Sequence, residues 1–144
     1  MQDRFKFRFW NTKIKCMYED TGLTSLGVNG SIKSALKNNY VIMQSTGLKD
    51  KHGKLIYEGD IVNVYVSSEK LYRYQVKFEI GSFMLVSNEE IFDFPNKWND
   101  NVYPLSQLYF EYENEDYCIE QLEVIGNVYE NPELLEVRKG RSNR

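Results

Sequence analysis

His52 is the only histidine of the chain, and it stands in the run Asp50-Lys51-His52-Gly53. A zinc site needs His or Cys at ligand spacing, and neither Cys16 nor Cys118 has such a neighbour. A Ser-His or Cys-His relay would have to use His52 alone. The nine glycines are scattered and build no phosphate-cradling loop. Carboxylates offer more. Asp50, Glu58 and Asp60 fall within eleven residues, and with Lys49 and Lys54 they could form a Mg2+-type cluster for hydrolysis. The same residues also read as turn chemistry, in which Asp side chains accept from nearby backbone N–H groups. Lys6, Arg8 and Trp10 alternate along one stretch and could pair and stack with nucleic acid, or Trp10 could pack under a hairpin. The acidic run Glu111-Tyr112-Glu113-Asn114-Glu115-Asp116-Tyr117 reads as a solvated loop or as an acidic surface for a basic partner.

The scaffold for these groups is bounded by 144 residues and 17.1 kDa, enough for one ordinary domain. Hydrophobic residues at 42% and charged residues at 27% describe a chain that builds a core. No apolar run reaches the roughly 18 residues of a membrane span. The first residues lack the apolar stretch of a secretory signal, and two distant cysteines suit a reducing compartment. A cytoplasmic location is therefore expected. The net charge of -3 disfavours a wholesale cationic grip on nucleic acid. The charge is nevertheless segregated. Residues 1–97 hold 14 Lys/Arg against 11 Asp/Glu, residues 98–137 hold 10 acids and no base, and the tail carries Arg138, Lys139, Arg141 and Arg144. Such a chain can pair with copies of itself, or its charge is simply solvated surface.

A single alanine, Ala35, with eleven Tyr and eight Phe, points to strands rather than helices. Phe5-Lys6-Phe7-Arg8-Phe9-Trp10 alternates with period two, placing Phe5, Phe7 and Phe9 on one face and Lys6, Arg8 and Trp10 on the other. Residues 14–18 return as a hairpin partner. Residues 31–36 admit a helical turn or a strand, and 40–43 form a short apolar strand. Strands are expected at 61–66, 74–80 and 83–86, the last two turned by Gly81-Ser82, so that the three make an antiparallel meander. Val62, Val64 and Val66 should share a face. Residues 87–104 read as loop, 105–112 as strand or short helix, and 122–128 as a final strand. Asn131-Pro132-Glu133 starts a short helix with an N-cap, a proline at its first position and an acid in its first turn.

Three blocks resemble the YopX family of phage and prophage proteins. They are KFRFW at 6–10 with Met17, the long run MQSTGLKDKHGKLIYEGDIV at 43–62, and VIGNVYENPELL at 124–135. His52 departs from the family's usual Asn in the turn, which argues against a catalytic histidine. Phe9 replaces a more usual small residue before Trp10. The resemblance implies a phage or prophage gene, an SH3-type barrel in the centre, and homo-oligomerisation. It implies no activity.

The expected architecture is mainly β within one domain at 1–137. It has an N-terminal β-hairpin and connector at 1–43, an SH3-type β-barrel at 44–129 with an insertion near 87–121, and a short C-terminal helix at 130–137. A basic tail follows at 138–144. The leading functional reading is a non-catalytic, oligomeric protein-binding module with a host or phage partner and no catalytic, metal or cofactor residues. A nucleic-acid binder is the first alternative and a Mg2+-dependent hydrolase the second. Lys6, Arg8, Trp10, Lys49, Asp50, Lys51 and His52 are the candidate partner-binding residues.

Overall fold

The computed structural model describes residues 3–19, 39–69, 71–87, 102–111 and 116–136. The element expected at 31–36, most of the loop at 87–104 and the basic tail fall outside these residues. The fold is mainly β and consists of two antiparallel sheets and one short helix.

The first sheet is built from β1 (Phe7–Asn11), β2 (Cys16–Glu19), β3 (Tyr40–Lys49) and β4 (Leu55–Tyr57), in the order β2-β1-β3-β4. The expected hairpin is present, with Trp10 opposite Met17, and β3 covers the other flank of β1. That central position changes the reading of the Lys6-Arg8-Trp10 face. Arg8, Phe9 and Trp10 are all buried in succession, because both faces of β1 are covered, while Phe5 lies in a 3-10 turn (Asp3–Phe5) and is exposed. β3 runs six residues beyond the strand expected at 40–43, through a register shift between Ser45 and Lys49 where Gly47 takes φ 82°.

The second sheet holds β5 (Asp60–Tyr65), β6 (Leu71–Glu79), β7 (Ser82–Val86), β8 (Val102–Pro104) and β9 (Leu122–Asn127). Its order is β8-β7-β6-β5-β9, and it curls into a half-barrel. The meander β5-β6-β7 is the one the alternation predicts. Val62 and Val64 reach the core, but Val66 lies past the end of β5 and is exposed. Within the insertion expected near 87–121, the described residues 102–111 contribute to the barrel interior. β8 pairs with β7, and helix α1 (Leu105–Glu111) buries Leu105 and Leu108 beside Ile56, Val62, Val76, Leu85, Ile119 and Leu122. An exposed helix would have kept these leucines in water; burying each is worth about 2 kcal/mol. The C-terminal helix is a single 3-10 turn, Pro132–Leu135. Asn131 does not cap it, and its Oδ1 instead accepts from the Asn127 amide at 3.2 Å.

The β6–β7 connection is Ile80-Gly81, one residue earlier than Gly81-Ser82, with φ of 55° and 73°. Two left-handed residues suit a two-residue hairpin, for which Asn-Gly is the favoured pair. Isoleucine is a poor choice there, since its branched Cβ crowds the backbone, and it is 94% exposed with little packing in return. Ile80→Asn is expected to raise stability by about 1 kcal/mol, read as a higher urea midpoint at unchanged slope. An unchanged or lower midpoint would contradict this account of the turn.

Candidate functional site

The turn Tyr57-Glu58-Gly59-Asp60 connects the two sheets and gathers a dense set of polar contacts. Asp60 Oδ2 accepts from the Tyr57 amide at 2.8 Å and closes the turn. Gly59 has φ 88°, and a Cβ there would lie 3.1 Å from Met43 Sδ, so both the conformation and the space call for glycine. Into this turn reaches Arg8 from β1. Its Nη1 lies 2.7 Å from Asp60 Oδ1, its Nη2 donates to the Glu58 carbonyl at 3.1 Å, and its Nε donates to Met43 Sδ at 3.4 Å. The guanidinium also sits over the Tyr57 ring, 4.9 Å from its centroid. Both charged partners are almost wholly enclosed. Burial pushes the Asp60 carboxyl up to about 6, against the opposing pull of Arg8, the Tyr57 amide and Lys54.

Beside this hub lies a groove of about 210 Å3 between the sheets, lined among others by Ile42, Glu58, Lys77, Phe78, Glu79 and Tyr129. Tyr129 also stacks on Trp10, with ring centroids 5.7 Å apart and 27° between planes. Trp10 is buried, and its stacking partner comes from the closing block and not from the following hairpin. Burial raises the Tyr129 phenol above its ordinary range, and Glu58 adds to this.

Asp50 is equally committed to the fold. Its Oδ1 accepts from the amides of His52 and Lys54, both at 2.9 Å, and its Oδ2 from that of Val124 at 3.0 Å. Lys49 is tied through its backbone to the C-terminal segment: its amide donates to Tyr117 and its carbonyl accepts from Ile119, each at 2.7 Å. Lys6 is half-buried, and its carbonyl accepts from Ser45. Lys51 and His52 do reach the surface. His52 Nε2 lies 2.8 Å from Glu123 Oε2, the Tyr65 hydroxyl donates to Glu123 Oε1 at 3.1 Å, and Lys51 Nζ sits 5.0 Å from the Tyr65 ring centroid. Hydrogen bonds from His52 and Tyr65 hold the Glu123 carboxyl below the usual carboxylate range.

The expected seven-residue surface is therefore divided. Arg8, Trp10 and Asp50 are interior residues, and only Lys51 and His52 are prominently exposed. The Asp50-Glu58-Asp60 cluster is also dismantled: Asp50 and Asp60 spend their oxygens on amides and Arg8. Among the described residues no three His, Cys, Asp or Glu side chains are grouped to hold a metal ion.

The family whose description is YopX protein matches residues 6–136. The chain belongs to the YopX family. Two solved structures resemble this YopX chain. Protein EF1440 from Enterococcus faecalis is 30% identical, with 91% of this chain and 97% of that one covered at a TM-score of 0.54. YopX from Bacillus subtilis is 21% identical, with 92% and 99% covered at a TM-score of 0.56. No curated protein matches the sequence.

In YopX terms, the hub joins the three sequence blocks that suggested the family. Arg8 and Trp10 come from the first, Met43 and 57–60 from the second, and Tyr129 from the third. Sequence reasoning missed the groove. Glu58 stood in the carboxylate cluster and Tyr129 in the closing block, but no local signal puts Ile42 and Phe78 on one groove.

Proposed function

We propose that this YopX protein is a non-catalytic protein-binding module, encoded by a phage or prophage, that self-associates and works in the bacterial cytoplasm. The observation that carries the reading is the surface distribution of large apolar side chains. Phe78 is 51% exposed beside Ile80 on one hairpin, and Phe110 is 78% exposed next to Tyr109, which stacks on the exposed Tyr117. Apolar groups held in water in clusters suit protein contacts. Arg8, Asp50 and Asp60, which suggested chemistry, are bonded within the fold. Among the described residues no helix is long and apolar enough to cross a membrane.

The nucleic-acid alternative drew on a barrel face, the basic N-terminal strand and the basic tail; Arg8 and Trp10 of that strand are enclosed, and the tail lies outside the described residues. The hydrolase alternative drew on carboxylates that are already bonded to the backbone. The test is a tagged pull-down from lysate of the bacterium carrying the gene, with and without nuclease. A protein partner that survives nuclease is expected. Recovery of nucleic acid, weakening steeply as salt rises, would replace the protein-binding reading. Light scattering on the purified chain should give a multiple of 17.1 kDa, and a monomer mass would remove self-association.

A further inference from the structure

The groove between the sheets is bordered by a strand edge that, among the described residues, no strand pairs. In the β1–β3 ladder, Thr12 donates to the Asn39 carbonyl and Ser45 to the Lys6 carbonyl, each at 2.9 Å. Bonded pairs recur at every second residue of an antiparallel ladder, so Val41 and Met43 face β1 while Tyr40, Ile42 and Gln44 face away. Gln44 is satisfied on that side: its carbonyl accepts from the Glu58 amide at 2.9 Å. β4 meets β3 only from Ser45 onward. Among the described residues, the backbone groups of Tyr40 and Ile42 on that side have no strand beside them.

The opposite wall is β6, which outruns β5. The Gly59 amide donates to the Val76 carbonyl at 2.8 Å, and the next position on that side is Phe78. The Phe78 side chain is half exposed and continues the buried row of Tyr74 and Val76 past the end of the core. Glu58 and Glu79 flank the groove against the single Lys77.

We propose that this groove receives an extended segment of a partner protein, which adds as a strand to the open edge of β3 at Tyr40 and Ile42. Resting on the protein-binding reading above, this names the site and the chemistry recognised. Backbone N–H and C=O groups in alternation are met by another extended backbone and not by a phosphodiester chain. The segment sets an apolar side chain against Phe78 and Tyr129 and a basic one towards Glu58 and Glu79, which would repel phosphates.

The probe is the capped hexapeptide Thr-Val-Lys-Val-Thr-Val, titrated into the isotope-labelled full chain and followed by NMR. Amide shifts are expected at Tyr40, Ile42 and Phe78, with exchange of the Ile42 amide slowed by about tenfold or more. The same peptide N-methylated at alternate backbone nitrogens should bind at least about tenfold more weakly, and so should a version with Glu in place of Lys. Ile42→Pro removes a donor from the open edge while sparing the β1 ladder, and Phe78→Ser removes the facing wall. Each should abolish the perturbation while leaving the remaining spectrum folded. Equal binding of the N-methylated peptide, or no perturbation at millimolar peptide, would overturn the groove. Shifts confined to the surface of Lys51 and His52 would overturn it and leave the protein-binding reading standing. Binding of an oligonucleotide without binding of any peptide would overturn both.

Discussion

Arg8→Ala is expected to cost about 3–5 kcal/mol of folding stability. The reason is the company that Asp60 would be left in. Both side chains of the pair are nearly inaccessible, so removing the guanidinium strands a carboxylate that water cannot reach. Three further contacts go with it: the Glu58 carbonyl, Met43 Sδ and the Tyr57 ring all lose their partner. The pair joins β1 to the start of β5, so the loss weakens the junction of the two sheets and not just one strand. A chemical-denaturation experiment reads the effect directly, and a cost below about 1 kcal/mol would show that the pair is dispensable.

The same pair predicts a pH dependence. The folded pKa of Asp60, about 6, lies above the ordinary carboxylate value of 3.8. Stability from this group is therefore full below the unfolded value and is lost as pH rises through about 6. The window runs from pH 4 to pH 7, and the loss amounts to about 3 kcal/mol. Asp60→Asn should flatten this window, because an amide does not titrate. Replacing both charges, as in Arg8→Met with Asp60→Asn, should recover part of the loss at Arg8→Ala, since it leaves no charge to desolvate and the amide oxygen can still accept from the Tyr57 amide. A wild-type profile that rises from pH 4 to pH 7 would contradict the assignment.

Asp50→Ala is the second large effect, at about 3–4 kcal/mol. One carboxylate accepts three backbone N–H groups, two within its own turn and one on β9, seventy-four residues away in sequence. Truncation leaves those donors unpaired at a site where the carboxylate is 1% exposed. Asn is no remedy, because one of its two groups is a donor and would face an amide donor at one end. Hydrogen exchange separates this from a general loss of stability. The Val124 amide should exchange at least about tenfold faster in Asp50→Ala than the shift in global stability accounts for. Unchanged protection at Val124 would mean that the long-range bond contributes nothing.

Much of the second sheet was legible because its signals are local. The alternation of residues 74–79 and the valines of 61–64 set a period of two, and period alone decides which side chains share a face. The turns at Asp50-Lys51-His52-Gly53 and Glu58-Gly59-Asp60 announce themselves through carboxylates and glycines whose preferred geometry spans three or four residues. What failed were inferences about which face meets water. Lys6, Arg8 and Trp10 alternate with phenylalanines, and periodicity correctly puts Arg8 and Trp10 on a common face. It cannot report that this face is covered by Asp60 and Tyr129, fifty-two and one hundred nineteen residues on. Leu105 and Leu108, within the insertion expected near 87–121, show the same limit: they look like isolated apolar residues until the fold places them in the core.

The sequence by itself therefore determined the mainly β class, the meander, the polar turns and the family, all of which depend on neighbours within a few positions or on contiguous blocks. Only the tertiary structure decided that Arg8 is an interior ion-pair partner, that Asp50 is bonded to β9, and that Ile42 and Phe78 line one groove. Burial and edge exposure are properties of packing between distant segments, and no local pattern of residue types encodes which segment arrives to cover a given face.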